Sequence, residues 1–162
     1  MVDDSHTDVL PEDLNKVDVV RPHAFPDNSR RRVPGTIYVV AGSAVGAVAA
    51  FAGSDAILLN GGLIGGGAIL TLFGLFGIAS GWRMHIDEHE ALARSGEAVG
   101  FAIGHASAQQ VWRGIRSRPT WRVLVYSAEE PPRRRGLVLV DAVDGRVVEH
   151  MVQDNPVEDW DV

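Results

Sequence analysis

The residues whose types and spacing come closest to chemistry are His85, Asp87, Glu88 and His89. Read as one helix, the H-x-x-E-H spacing puts two imidazoles four residues apart on one face. There they would hold a zinc ion while Glu88 serves as general base. Such a site needs a third protein ligand, and only Glu97 and His105 are candidates, if the chain folds back. The motif also lies next to a long apolar run, in a chain with little room for a protease. A charged helix face beside a membrane accounts for the same residues. No metal, cofactor-binding or catalytic residue is therefore assigned, and the chain is read as not an enzyme.

Other chemistry is excluded more directly. The 162 residues contain no cysteine, which removes disulfides, iron–sulfur ligation and thiolate zinc or copper sites together. There is no Ser-His-Asp arrangement and no phosphate-cradling loop, since the densest glycines fall within an apolar run. Nucleic acid is not an expected partner. Residues 136 to 162 carry seven acids against Arg146, within a net charge of -6.

The dominant elements are two uncharged apolar runs, Val33 to Gly53 and Ala56 to Trp82, separated by Gly53, Ser54 and Asp55. About 20 helical residues cross the hydrocarbon core of a bilayer, so the runs predict a transmembrane hairpin with helices at 33–53 and 57–82. Apart from a tyrosine, its one ionisable side chain is Asp55, at the turn, which leaves no intramembrane group for an ion path or proton relay. Arg30, Arg31 and Arg32 precede the first run, Arg83 follows the second, and the turn has no Lys or Arg. By the positive-inside rule these arginines orient a multi-pass plasma-membrane protein with both termini cytoplasmic. A cleaved signal peptide is rejected, because the first run follows an acidic arm rather than a short basic start.

Pro34 suits the first turn of a helix, and Tyr38 an interfacial anchor. Gly42, Gly46 and Ala50 recur at the spacing that lets helix backbones approach closely, and Gly62 and Gly66 answer them among the glycines of the second run. These four glycines are the expected packing positions, within the hairpin or against a partner. Leu70, Leu72, Phe73, Leu75 and Phe76 form a bulkier side for lipid or another membrane protein.

The parts outside the hairpin are an acidic arm (1–29), a cytoplasmic domain (83–152) and an acidic tail (153–162). The arm has seven acids against Lys16 and Arg21, with Val17, Val19, Val20 and Phe25 to bury if it is ordered. A short helix is expected over 85–94, stopped at Ser95 and Gly96. A strand is expected over 98–104 from the alternation of Val99, Phe101 and Ile103, with a helix beginning here as the competing reading. Ser107 and Gln110 fit a capping box opening a helix with Ala108, Val111, Trp112 and Ile115 on one stripe. Strands at 121–126 and 136–141 follow, joined by a basic loop with Arg133, Arg134 and Arg135. Asp144 and Gly145 then signal a hairpin into 147–148. The fold class is thus an α+β membrane protein: a two-helix transmembrane hairpin followed by a small cytoplasmic β-α-β-β-β domain. Trp160, alone among acids in the tail, suits a docking anchor.

The turn Asp141 to Val147 after a strand resembles the end of a PepSY-type module. The whole layout, an acidic arm, an Arg-flanked glycine-rich hairpin and a small cytoplasmic domain in a cysteine-free chain, resembles the small accessory subunits of the actinobacterial respiratory supercomplex. That resemblance implies a non-catalytic accessory or assembly subunit without haem or copper. Its partners would be the lipid bilayer and a larger integral membrane complex of cytochrome bc or cytochrome oxidase subunits. The alternative is a membrane-tethered regulator or sensor whose sheet domain binds a soluble partner.

Overall fold

The structure is a computed structural model and describes residues 25–51 and 61–156. The expectations for Val17, Val19, Val20, the turn at Asp55 and Trp160 lie outside the described residues. Helix α1 (Arg32–Phe51) follows a 3-10 turn at Ser29–Arg31, and helix α2 is Gly61–Ala79. Both are long and apolar enough to cross a membrane, and only 11% of each is buried within the molecule. They run antiparallel, Gly35 lying against Gly74 and Gly42 against Gly67.

The seam between them uses glycines seven apart on each helix, two turns, rather than four apart. A Cβ on Gly74 would lie 2.6 Å from the Gly35 carbonyl oxygen, and one on Gly42 would lie 2.5 Å from that of Gly67. Of the four glycines expected to pack, Gly42 is in this seam. Gly46 and Gly66 meet nothing within 4 Å among the described residues, and Gly62 is exposed. Thr71 closes the contact, its hydroxyl donating back to the Gly67 carbonyl at 2.9 Å.

Helix α3 (Glu88–Val99) begins at Asp87, whose side chain accepts the Glu90 N–H at 2.8 Å and so caps the first turn. Glu88 and Glu90 there complement the helix dipole. The helix does not stop at Ser95 and Gly96. It runs to Gly100, which takes the left-handed conformation (φ 68°) that ends helices most cheaply in glycine. The Ser95 hydroxyl meanwhile bonds back to Ala91, so Ala91, Ser95 and Val99 form its buried stripe.

Strands β1 (Ile103–Arg113), β2 (Arg118–Ser127), β3 (Arg134–Asp141) and β4 (Val147–Asp154) make an antiparallel meander in chain order. The domain is therefore α-β-β-β-β. Two expectations are corrected: 98–104 is mostly a helix end and turn, and the helix expected from Ser107 is strand β1. Ser107, Val111 and Trp112 are indifferent or poor helix formers, whereas β2 offers a long partner in register from Arg113 opposite Arg118 to His105 opposite Tyr126. Inter-strand pairing wins over a weak cap signal.

The face toward α3 carries Trp121, Val123, Val125, Val138 and Val140, all fully buried and joined by Ile86, Ala91, Val99 and Phe101. Each such valine contributes on the order of 1.5–3 kcal/mol by leaving water. The opposite face carries Leu124, Leu137, Leu139 and Met151 and has no covering layer among the described residues.

The seam makes a direct prediction. Gly74→Val forces backbone apart at an overpacked contact, an effect typically of about 1–3 kcal/mol, and should lengthen the distance between spin labels on Val40 and Leu72. Gly66→Val has open space and should leave that distance unchanged.

Candidate functional site at the junction of hairpin and sheet

The polar organisation of the molecule is concentrated where α2 ends and the sheet begins. A helix end leaves its last carbonyls without intrahelical partners; here the Ser80 and Gly81 N–H groups meet those of Phe76 and Ile78, and side chains from elsewhere in the chain meet the next ones. Arg116, in the β1–β2 turn, donates Nε to the Ala79 carbonyl oxygen at 3.0 Å, and its terminal nitrogen reaches the same atom. Arg32, at the start of α1, donates Nε to the Gly81 carbonyl at 2.7 Å. Cations at the negative end of the helix dipole are placed where they stabilise it.

Trp82 is the centre of this arrangement. Its backbone N–H donates to Asn28 Oδ1 at 3.0 Å, and its indole Nε1 donates to the Arg116 carbonyl at 3.1 Å. The Arg116 and Arg118 guanidinium carbons lie 4.6 and 4.4 Å from the ring centroid, within the range of cation–π attraction. Asn28 is 8% exposed and also donates Nδ2 to the Ser117 carbonyl at 2.8 Å. One amide side chain thereby joins the segment before α1, the end of α2 and the tip of the β1–β2 hairpin. Nearby, Phe25 packs edge-on against Trp121 with centroids 4.7 Å apart, and Gln110 donates to the Pro26 carbonyl at 2.7 Å.

Arg118 carries the network into the sheet. Its Nε donates to Asp141 Oδ2 at 2.5 Å, and its Nη2 to Asp144 Oδ2 at 2.8 Å. Asp141 is fully buried, and its other oxygen accepts the Val143 N–H at 2.9 Å. Burial pushes this carboxyl up, but the Arg118 hydrogen bond and the N–H groups of Val143 and Asp144 more than offset it, leaving its pKa below the ordinary 3.8. At the far side of the same turn, Gly145 takes φ 75°, and Arg94 of α3 donates to its carbonyl at 3.0 Å.

A cleft of about 290 Å³ opens beside Trp82, lined by Arg113, Gly114, Ile115, Arg116 and Arg118. A second, of about 400 Å³, lies in the groove of α1 and α2 between Arg31, Tyr38, Phe73, Phe76 and Ser80. Arg30, Arg31, Arg32 and Arg83, read for orientation, flank this same end of the helix pair.

The His85–His89 motif is not on one helix face. His85 precedes α3, with Nδ1 3.2 Å from the Val143 carbonyl oxygen, whereas His89 is inside the helix and 84% exposed beside Glu88. Among the described residues no group of three or more His, Asp or Glu side chains is placed to hold a metal ion. In the basic loop, Arg134 pairs with Glu129 at 3.7 Å, and the Arg133 and Arg134 N–H groups bond to Ser127 Oγ. The residues that sequence reasoning misses are Asn28, Arg116, Arg118 and Asp141. Their one local signal is a pair of arginines beside Pro119 at the start of a strand.

No protein-family model, no characterised protein and no solved structure matches this chain.

Three outcomes are expected. Because the Asp141 pKa is lowered on folding, its stabilisation is present above the ordinary value and lost as pH falls through the folded value. Melting of the intact protein should thus be insensitive to this group above about pH 5 and weaken below about pH 4. Asp141→Asn should lower stability at neutral pH by about 3 kcal/mol, the cost of leaving a buried partner uncompensated, and remove that part of the acid sensitivity. Trp82→Ala should raise amide exchange in residues 114–118 and 26–32 together while leaving β3 protected.

Proposed function

We propose that this chain is a non-catalytic accessory or assembly subunit of a larger integral membrane complex. It crosses the bilayer twice, with both termini and the sheet domain on the cytoplasmic side. The observation that carries the reading is the outward surface of the helix pair. Gly35, Gly42, Gly67 and Gly74 are used up in the seam, yet Gly46, Gly61, Gly65 and Gly66 have open space at the Cβ position among the described residues. Further along the second helix Leu72 and Phe73 are 66% and 61% exposed. In lipid, apolar bulk gives no drive to associate, and small-residue rows provide the close approach that does. A helix pair that keeps a second such row is suited to receive further helices.

The orientation is supported by Arg30, Arg31, Arg32 and Arg83 at one end and by the absence of Lys and Arg between residues 52 and 60. The likeness of the layout to accessory subunits of the actinobacterial respiratory supercomplex makes a cytochrome bc and oxidase assembly the first partner to test. The arm and Trp160 would add contacts on its cytoplasmic face. A second reading, a membrane-tethered regulator, is favoured by one observation: the open sheet face, where Leu124, Leu137 and Met151 line a shallow groove with Arg135 and Gln153.

Tagged full-length protein purified in mild detergent should bring haem absorbance with it. Gly62→Leu with Gly66→Leu should reduce that yield several-fold, and Leu72→Ala should reduce it less. Purification of the wild-type chain alone would overturn the subunit reading in favour of the tethered regulator. Orientation has its own check in a chain without cysteine. With single cysteines at Ser5, Ser54 and Ala128, an impermeant thiol reagent should label only Ser54→Cys in intact cells. Ala128 serves here because the neighbouring Ser127 is buried.

A further inference from the structure

The tip of the β1–β2 hairpin has a composition that a water-facing turn does not need. Ile115 is 89% exposed and Trp112, on β1 beside it, 48%. Arg113 and Arg116 flank Ile115, and with Arg118 they line the cleft beside Trp82. The tip is not free to swing away from the helices. Arg116 bonds to the Ala79 carbonyl, Trp82 Nε1 bonds to the Arg116 carbonyl, and Asn28 holds Ser117. These bonds fix the turn at the level where α2 ends, which on the membrane reading is the level of the phospholipid headgroups.

The local charge is positive. Three arginines line the cleft, against Asp141, which is fully buried and bonded to Arg118, and Asp144, which bonds to the same arginine. Arg113 stands 3.9 Å from Asp141, whose charge Arg118 already compensates. Arg116 is bonded to a backbone carbonyl and a ring face, neither of which neutralises it. Guanidinium forks are suited to phosphate oxygens, and an apolar side chain between cations suits insertion just below them.

We propose that this turn docks on the membrane surface, with Ile115 entering the headgroup layer and the cleft of Arg113, Arg116 and Arg118 holding the phosphate of an anionic glycerophospholipid. The inference rests on the two-pass reading of the hairpin. It adds a built contact by which the sheet domain reads the lipid charge of the leaflet it faces.

The test uses the full chain in nanodiscs of phosphatidylcholine with or without phosphatidylglycerol, with a bimane label on single cysteines at Val40, Ile115 or Ala128. Brominated lipid should quench Val40→Cys and Ile115→Cys and spare Ala128→Cys, with the Ile115 quenching deepened by phosphatidylglycerol. In neutral detergent, phosphatidylglycerol titrated against the Ile115 label should bind more tightly than phosphatidylcholine. Arg113→Gln, which leaves every bond to α2 in place, should weaken that binding about fivefold, as expected for one interfacial arginine. Quenching at Val40 without quenching at Ile115 would overturn the docking and leave the membrane reading standing. Absence of quenching at Val40 would overturn the membrane reading itself. Equal competition by inorganic phosphate, or equal binding of the two lipids, would overturn the lipid phosphate assignment.

Discussion

The open carbonyls at the end of α2 are the constraint on which the rest of the arrangement depends. A helix end in or beside an apolar medium cannot leave its last acceptors without donors. The residues just past the helix meet part of this need, the Ser80 and Gly81 N–H groups donating to the Phe76 and Ile78 carbonyls. Distant segments supply the rest, Arg116 from the sheet donating to the Ala79 carbonyl and Arg32 from the other helix to that of Gly81 just beyond. The solution gives two tasks to each group. Arg116 caps a helix and places a strand turn, and Arg118 stacks on Trp82 while neutralising the buried Asp141. Asn28 holds three segments with one amide. The segment from Gly81 to Asp87 contains no regular element, so the sheet is oriented relative to the helices by these bonds together with the Phe25 and Gln110 contacts.

Much of the fold could be read from periodicity and composition, because those signals arise from solvent partition. The apolar runs of the two helices, the strands around Val123 and Val138 and the turn at Gly145 are all of this kind. What could not be read depends on partners far along the chain. Ser107 and Gln110 satisfy a helix-cap pattern, and only the ten-residue β2 opposite them explains why β1 forms instead. Ser95 and Gly96 look like a helix stop, but the buried stripe of Ala91, Ser95 and Val99 needs one more turn. The glycines illustrate the same limit within the hairpin. Gly42 and Gly46 have the spacing for close approach, yet which of several glycines meets backbone depends on how the second helix is rotated. The observed rotation selects Gly35 and Gly74.

The candidate site was less legible than the fold. The conspicuous histidines at 85 and 89 are separated by the start of a helix and do not converge. The residues that do converge are one asparagine, one tryptophan and a set of arginines, types that sequence alone reads as ordinary surface or interface. Asp141 is one acid among many until burial distinguishes it. Its partner Arg118 is 23 residues away, a separation that no local pattern reports.

Because the connection at Trp82 is made of converging bonds rather than a slack linker, the tilt of the helix pair and the attitude of the sheet are a single mechanical coordinate. A helix pair accommodates bilayers of different thickness chiefly by leaning. In a bilayer this molecule would therefore act as a lever, with its fulcrum at the Trp82 indole and its longer arm in lipid. A thinner or thicker bilayer would rotate the strand face bearing Leu124 and Leu137 toward or away from the surface, without any change in the fold of either half.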